Sequence, residues 1–152
     1  MRLHVLTREQ RLPEPPEETF ELFGDARNLE DITPPWLGFR VVTPEPITMA
    51  PGTLIAYRLR LHGAPIRWLT RIEVWEPGRR FVDVQVSGPY ALWHHLHEFA
   101  PDGDGGTVMR DTVRYGLPFG PFGGLAHAVF VRRDVEAIFD FRREAVRSRI
   151  AG

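Results

Sequence analysis

Residues 93–115 read WHHLHEFAPDGDGGTVMRDTVRY, and the fold turns on how this stretch is read. A β-strand sends alternate side chains to opposite faces. On that period Trp93, His95, His97 and Phe99 share one face. Met109, Asp111, Val113 and Tyr115 share one face of a second strand. The connection APDGDGG (100–106), rich in Asp and Gly, marks a hairpin turn. Folding the two strands together sets imidazoles and a carboxylate among aromatic side chains. Buried polar groups need partners. Either they satisfy one another, or they line a cavity that holds water or a ligand. The register stays open at this point: one pairing sets His95 opposite Asp111, and a shift of two sets His97 there.

Working outward, the flanking segments are also strands. GTLIAYRLRL (52–61) places Ile55, Tyr57, Leu59 and Leu61 on one face, with Arg58 and Arg60 opposite. IRWLTRIEVWEP (66–77) places Trp68, Thr70, Ile72 and Val74 together, with Arg67, Arg71 and Glu73 opposite. RFVDVQVSG (80–88) has two readings. Phe81, Asp83 and Gln85 share one side and Val82, Val84 and Val86 the other. Hydrophobicity sends the valines inward, and a bulge near Gly88-Pro89 reverses that. Residues 2–12 form a first strand, with Leu3, Val5 and Thr7 on one face.

Helical signals bracket the strands. Pro15 and Pro16 open a helix, since its first turn needs no amide donor there. Glu17 and Glu18 suit its positive end, and Phe20 and Phe23 give it an apolar stripe. Gly24 ends it, and residues 25–32 form a second short helix before Pro34 and Pro35. After LPFGPFGG (117–124), Leu125, Ala128, Val131, Val135, Ile138, Phe139 and Val146 recur at helical intervals and predict a long amphipathic helix. Arg142, Arg143, Arg147 and Arg149 crowd its C-terminal end, where cations are favoured. The order is one strand, two short helices, about six strands and a long helix. Short turns between successive strands make an antiparallel meander. One helix covers only part of so curved a sheet, which leaves a concavity.

Composition excludes several chemistries. The chain of 152 residues suits one domain, 1–152, and is 43% hydrophobic and 26% charged. It has no cysteine, so disulfides, thiolate nucleophiles and Cys-ligated metals are absent. All 19 basic residues are arginine, which excludes Schiff-base and P-loop lysines. A formal net charge of −1 gives no reason to expect nucleic acid as a partner. No run is long and apolar enough to span a bilayer, and no signal-peptide stretch is present. The expected location is the cytoplasm.

The element order resembles the helix-grip α+β fold of the SRPBCC superfamily, which includes START domains, birch-pollen-allergen-like proteins and polyketide cyclase/dehydrase-like proteins. NLEDITPPWLGF (28–39), PGTLIAYRLRLHGAPIRW (51–68), RFVDVQVSGPYALWHHLHEF (80–99) and GGTVMRDTVRYGLPFGPFG (105–123) carry the resemblance to bacterial ligand-binding members. It implies a six- to seven-stranded curved sheet and a cavity, under the C-terminal helix, for a hydrophobic or amphipathic small molecule. It carries over no catalytic motif.

The expected cavity wall comprises Tyr57, Leu59, Trp68, Thr70, Trp93, His95, His97, Phe99, Asp111, Tyr115, Phe119 and Phe122. A carboxylate beside either imidazole would fix its tautomer and raise its basicity, which makes His95, His97 and Asp111 catalytic candidates. The plainer alternative is a structural hydrogen bond in a partly polar core. Phe119 and Phe122 either gate the cavity mouth or plug the core edge. His95 and His97 with Asp111 would make a His₂-carboxylate set, but paired histidines at strand spacing are a weak signal without a fixed third ligand. No metal is assigned and no cofactor is expected. Arg58, Arg60, Arg67 and Arg71 form a solvated outer ladder with Glu73. The Arg-rich helix end makes ordinary solvent contacts rather than binding anionic lipid, and outward valines at 82–86 would allow a homodimer. Three functional readings are open: a carrier of a lipid, isoprenoid or polyketide-like compound; a cofactor-free cyclase or dehydratase using a His–Asp pair; and a protein-interaction module with a filled core.

Overall fold

The computed structural model describes residues 3–118 and 131–151. Strand β1 (Leu3–Leu12) leads into α1 (Pro16–Gly24) and α2 (Asn28–Asp31), then a single 3-10 turn at Pro35–Leu37. Strands β2 (Arg40–Val41), β3 (Leu54–Leu61), β4 (Ala64–Glu76), β5 (Arg80–Ser87), β6 (Leu92–Pro101) and β7 (Thr107–Gly116) come next. A final helix, α3, spans Arg132–Ala151. The sheet is antiparallel throughout, in the order β1-β7-β6-β5-β4-β3-β2. This is the helix-grip architecture: a curved open sheet with α3 across its concave face. Leu125, Ala128, Phe119 and Phe122 lie outside the described residues. No helix among the described residues is long and apolar enough to cross a membrane.

Local chemistry places each element. Pro15 is extended and Pro16 occupies the first helical position of α1, as the missing amide donors require. Phe20 and Phe23 are buried and turn onto Phe81 and Phe99, with ring centroids 5.1–5.7 Å apart. In β1 the inward residues are Gln10 and Leu12, while Leu3 and Val5 face solvent. Along α3, Val135, Phe139 and Val146 are buried. Hydrogen bonds to β1 and to α2 fasten that helix. Gln10 donates to the Arg143 carbonyl at 2.7 Å, and Arg143 donates to the Glu9 carbonyl at 3.1 Å. Arg149 reaches the Asn28 side-chain oxygen at 2.6 Å. The Arg-rich end is therefore partly spent on packing the helix against β1 and α2.

One strand reading needs correction, and one left open is decided. The β4–β5 ladder slips between Ile72 and Val74. A bulge inverts the facing of the residues beyond it, so Trp75, not Val74, joins Phe20 and Phe81 in the core. On β5, Phe81 and Asp83 face inward with the aromatic residues. The valines take the other face, where Val82 is buried beside Val74 and Leu96.

The hairpin register is tied at its turn. Asp102 Oδ1 accepts the amides of Asp104 at 2.7 Å and Gly106 at 3.0 Å. Pro101 then pairs with Thr107, and His97 stands opposite Asp111. The turn also presses against β1: a Cβ on Gly106 would collide with the Leu12 carbonyl oxygen and the Asp102 carboxylate. Gly106→Ala is expected to cost about 1–3 kcal/mol through this overpacking. Gly24→Ala, with nothing within 4 Å, is expected to change stability by no more than about 0.5 kcal/mol. Calorimetry of the two variants checks the pair, and equal melting temperatures would refute the close approach.

Candidate functional site

Strands β3 to β6 and α3 border a cavity of about 160 Å³. An engineered cavity of about 150 Å³ is known to hold a benzene molecule, so the space suits a compact apolar group. Its walls come from several elements. Leu59, Leu61 and Ile72 project from the sheet, Leu37, Phe39 and Met49 from the segments after α2, and Ile138 from α3. Trp68, Tyr90 and Trp93 make an aromatic corner at 4.8–5.6 Å. The loop that delivers Tyr90 is held by Gln85, whose amide donates to the Tyr90 carbonyl at 2.7 Å and accepts the Tyr90 amide at 3.0 Å. Burial and then the Asp83 charge push the Tyr57 hydroxyl's pKa up, which keeps it protonated and able to donate.

Elsewhere in the cavity the wall is polar. His95 and His97 lie stacked, with centroids 3.5 Å apart, and His97 in turn lies flat on Phe81 at 3.8 Å. A carboxylate stands at each end of the imidazole pair. His95 Nε2 is 2.8 Å from Asp111 Oδ1, and His97 Nε2 is 2.6 Å from Asp83 Oδ2. The crossed separations are longer: His97 Nδ1 to Asp111 is 3.3 Å, without hydrogen-bond alignment, and His95 Nδ1 to Asp83 is 3.8 Å. The register thus sets His97 opposite Asp111, while the hydrogen bond runs diagonally to His95. Asp83, His95 and His97 border the cavity, and Asp111 sits behind them.

Burial dominates the electrostatics. It lowers the His95 pKa from 6.5 to about 4, helped by the neighbouring His97 and opposed by Asp111 and Asp83. Burial pushes the Asp83 and Asp111 carboxyls up. Their imidazole partners more than offset it, so Asp83 lies below the usual carboxylate range and Asp111 well below it. Arg142 adds to both shifts from α3. Its guanidinium lies 5.2 Å from the Phe23 ring centroid and 5.8 Å from that of Phe139. Its buried Nε and Nη2 have no hydrogen-bond partner among the described residues.

Of the residues expected on the wall, Tyr57, Leu59, Trp68, Thr70, Trp93, His95 and His97 border the cavity. Phe99 packs instead with Phe20, Phe23 and Phe81, and Tyr115 packs with Val113, Val135 and Phe139. Sequence reasoning missed Asp83, Tyr90 and Arg142. Asp83 was obscured by the two readings of β5. From sequence Arg142 reads as a helix-end cation, although it lies three and four residues past Phe139 and Ile138 and so shares their stripe.

Comparison with known proteins is consistent with this geometry. A family model described as "Polyketide cyclase / dehydrase and lipid transport" matches residues 4–151. TTHA0849 from Thermus thermophilus is similar in structure, with a TM-score of 0.66, 26% identity, and 94% of this chain and 97% of that one covered. A START superfamily protein from Mycobacterium smegmatis has a TM-score of 0.72 at 10% identity, with 97% of each chain covered. Zhui aromatase/cyclase from Streptomyces sp. R1128 has a TM-score of 0.67 at 15% identity, covering 95% of this chain and 94% of that one. No curated protein matches the sequence.

The lowered His95 pKa carries a pH dependence. Between pH 6.5 and about 4 the unfolded chain protonates this imidazole and the folded chain does not. Stability is therefore full above pH 6.5 and falls as pH drops through that window, by at most about 1.4 kcal/mol per pH unit for one proton. Loss of the two ionised carboxylates adds to the fall at lower pH. Urea unfolding from pH 8 to pH 4 measures it. His95→Gln is expected to flatten the slope, and a wild-type profile flat to pH 4.5 would contradict a buried neutral imidazole.

Proposed function

The chain belongs to the polyketide cyclase/dehydrase and lipid transport family, and we propose from that premise that it binds a hydrophobic or amphipathic small molecule between sheet and α3. The observation that carries the reading is the division of the cavity wall. Trp68, Trp93, Leu59 and Ile138 offer apolar surface, whereas Asp83, His95, His97 and Arg142 gather polar groups together. Ligand sites are mostly apolar with a few placed polar groups that orient the occupant. Apolar contact supplies the driving force, at about 25 cal/mol per Å² buried. The polar groups orient a carbonyl, hydroxyl or acidic head. The modest volume favours a compact, ring-containing occupant such as a polyketide-like aromatic. The family match over 4–151 supports treating the chain as one ligand-binding domain.

A second reading, a cyclase or dehydratase, is favoured by one contact. Asp83 borders the cavity and shares a 2.6 Å hydrogen bond with His97. A proton removed from a carbon α to a carbonyl would pass to this pair, and the protonated Tyr57 hydroxyl would donate to the oxygen that gains charge. A filled interaction module needs a solid interior, and the cavity argues against it.

Native mass spectrometry of protein purified from its own host is expected to show a bound small molecule that is released on denaturation. Leu59→Trp, which puts extra volume into the cavity, is expected to abolish both that adduct and the fluorescence enhancement of a bound anilinonaphthalene dye. His97→Gln is expected to retain dye binding within a few fold. Dye binding that survives Leu59→Trp at full strength would place the apolar site elsewhere.

A further inference from the structure

Two imidazoles two residues apart on β6 and a carboxylate from the neighbouring β5 converge on the cavity, and a second carboxylate stands behind them. We infer that Asp83, His95 and His97 form a binding site for a divalent first-row transition cation such as Zn²⁺, with Asp111 orienting His95. The sequence expectation of no metal lacked a third ligand; Asp83 supplies it, and Asp111 moves to the supporting position.

Three observations carry the inference. The donor atoms of Asp83, His95 and His97 all lie within 4.8 Å of one another. Bonds of about 2.0–2.1 Å in tetrahedral geometry put donor atoms about 3.4 Å apart. The present separations from Asp83 Oδ2, 2.6 Å to His97 Nε2 and 3.8 Å to His95 Nδ1, straddle that figure. The far side of His95 is already anchored, since its Nε2 lies 2.8 Å from Asp111 Oδ1. Metal-bound histidines characteristically donate their other ring N–H to a carboxylate, which fixes the tautomer and strengthens the ligand. Finally, all three ligands border the cavity, which provides a route for the ion and leaves coordination positions for water or a ligand oxygen.

Charge and donor type define the ion. Two carboxylates share this interior, and Arg142 makes no hydrogen bond through its buried Nε and Nη2 among the described residues. A dication neutralises carboxylates that solvent reaches poorly. Two imidazoles and one carboxylate suit Zn²⁺, Fe²⁺ or Co²⁺, and disfavour Ca²⁺ and Mg²⁺, which prefer all-oxygen sets. Binding has a structural consequence. The rings now stack with 24° between their planes, so the His95 Nδ1 and His97 Nε2 lone pairs do not yet converge. The rings must fan apart, and the hydrogen bond between His97 Nε2 and Asp83 must give way to the metal.

The inference does not depend on a hydrophobic ligand, and its failure would leave that reading intact. Protein stripped with a chelator and titrated with Zn²⁺ by calorimetry is expected to bind one equivalent. Co²⁺ is expected to give the intense visible absorption of a four- or five-coordinate nitrogen–oxygen site. Asp83→Asn should weaken binding at least about 100-fold, and Asp111→Asn about 10–100-fold. His95→Gln risks unfolding, so Asp83→Asn, checked by circular dichroism, is the discriminating variant, and the wild-type cobalt spectrum needs no variant at all. A cobalt spectrum no different from that of the hydrated ion would overturn the site. Binding unchanged by Asp83→Asn would do the same.

Discussion

Four polar side chains, His95, His97, Asp83 and Asp111, share an interior where water cannot satisfy them all, and much of the architecture depends on that constraint. Phe81 lies flat on His97, Phe139 meets His95 edge-on at 5.4 Å, and Phe23 tilts against His97 at 6.0 Å. These rings wall the cluster off except toward the cavity. In such surroundings a hydrogen bond is strong, and an orphaned partner is expensive. The cluster therefore favours one mutual placement of β5, β6 and β7, because moving any of the three would strand a charge.

The cavity is a gap that three apolar clusters leave between them. One gathers α1 with Phe81, Phe99 and Met109. A second joins Val113 and Tyr115 to Val135 and Phe139 of α3. A third lies at the β3–β4 side around Ile55 and Ile72. Cavity residues come from all three groups: Phe23 and Phe81, then Trp93 and Tyr90, then Tyr57 and Ile72. The gap is framed by packed clusters. Polar groups concentrated on part of its wall give the interior a direction, which is what an amphipathic guest requires.

The relatives share this architecture at 10–26% identity. A curved sheet and a helix across it survive such divergence because they need only the alternation of apolar residues and a few turns. Chemistry depends on the particular side chains that border the gap. In this chain those include the stacked imidazoles, the Asp83 carboxylate and an arginine whose Nε and Nη2 lack a hydrogen-bond partner among the described residues.

Local patterns sufficed for the element order, a count of six to seven strands, the inward faces of β3 and of the first part of β4, and the presence of histidine and aspartate inside a sheet. Each comes from the two-residue period of a strand or the longer period of a helix, which one segment carries alone. The register of the β6–β7 hairpin, the inward turn of Asp83, the replacement of Val74 by Trp75 after the bulge and the inward reach of Arg142 were decided only by tertiary structure. A register is a relation between two strands, and a bulge inverts facing without changing composition. Whether an arginine near a helix end meets solvent or a cavity depends on which helix face the sheet receives. Periodicity therefore identified which residues are paired with which face, and packing chose between faces and partners that the chain alone leaves nearly equal.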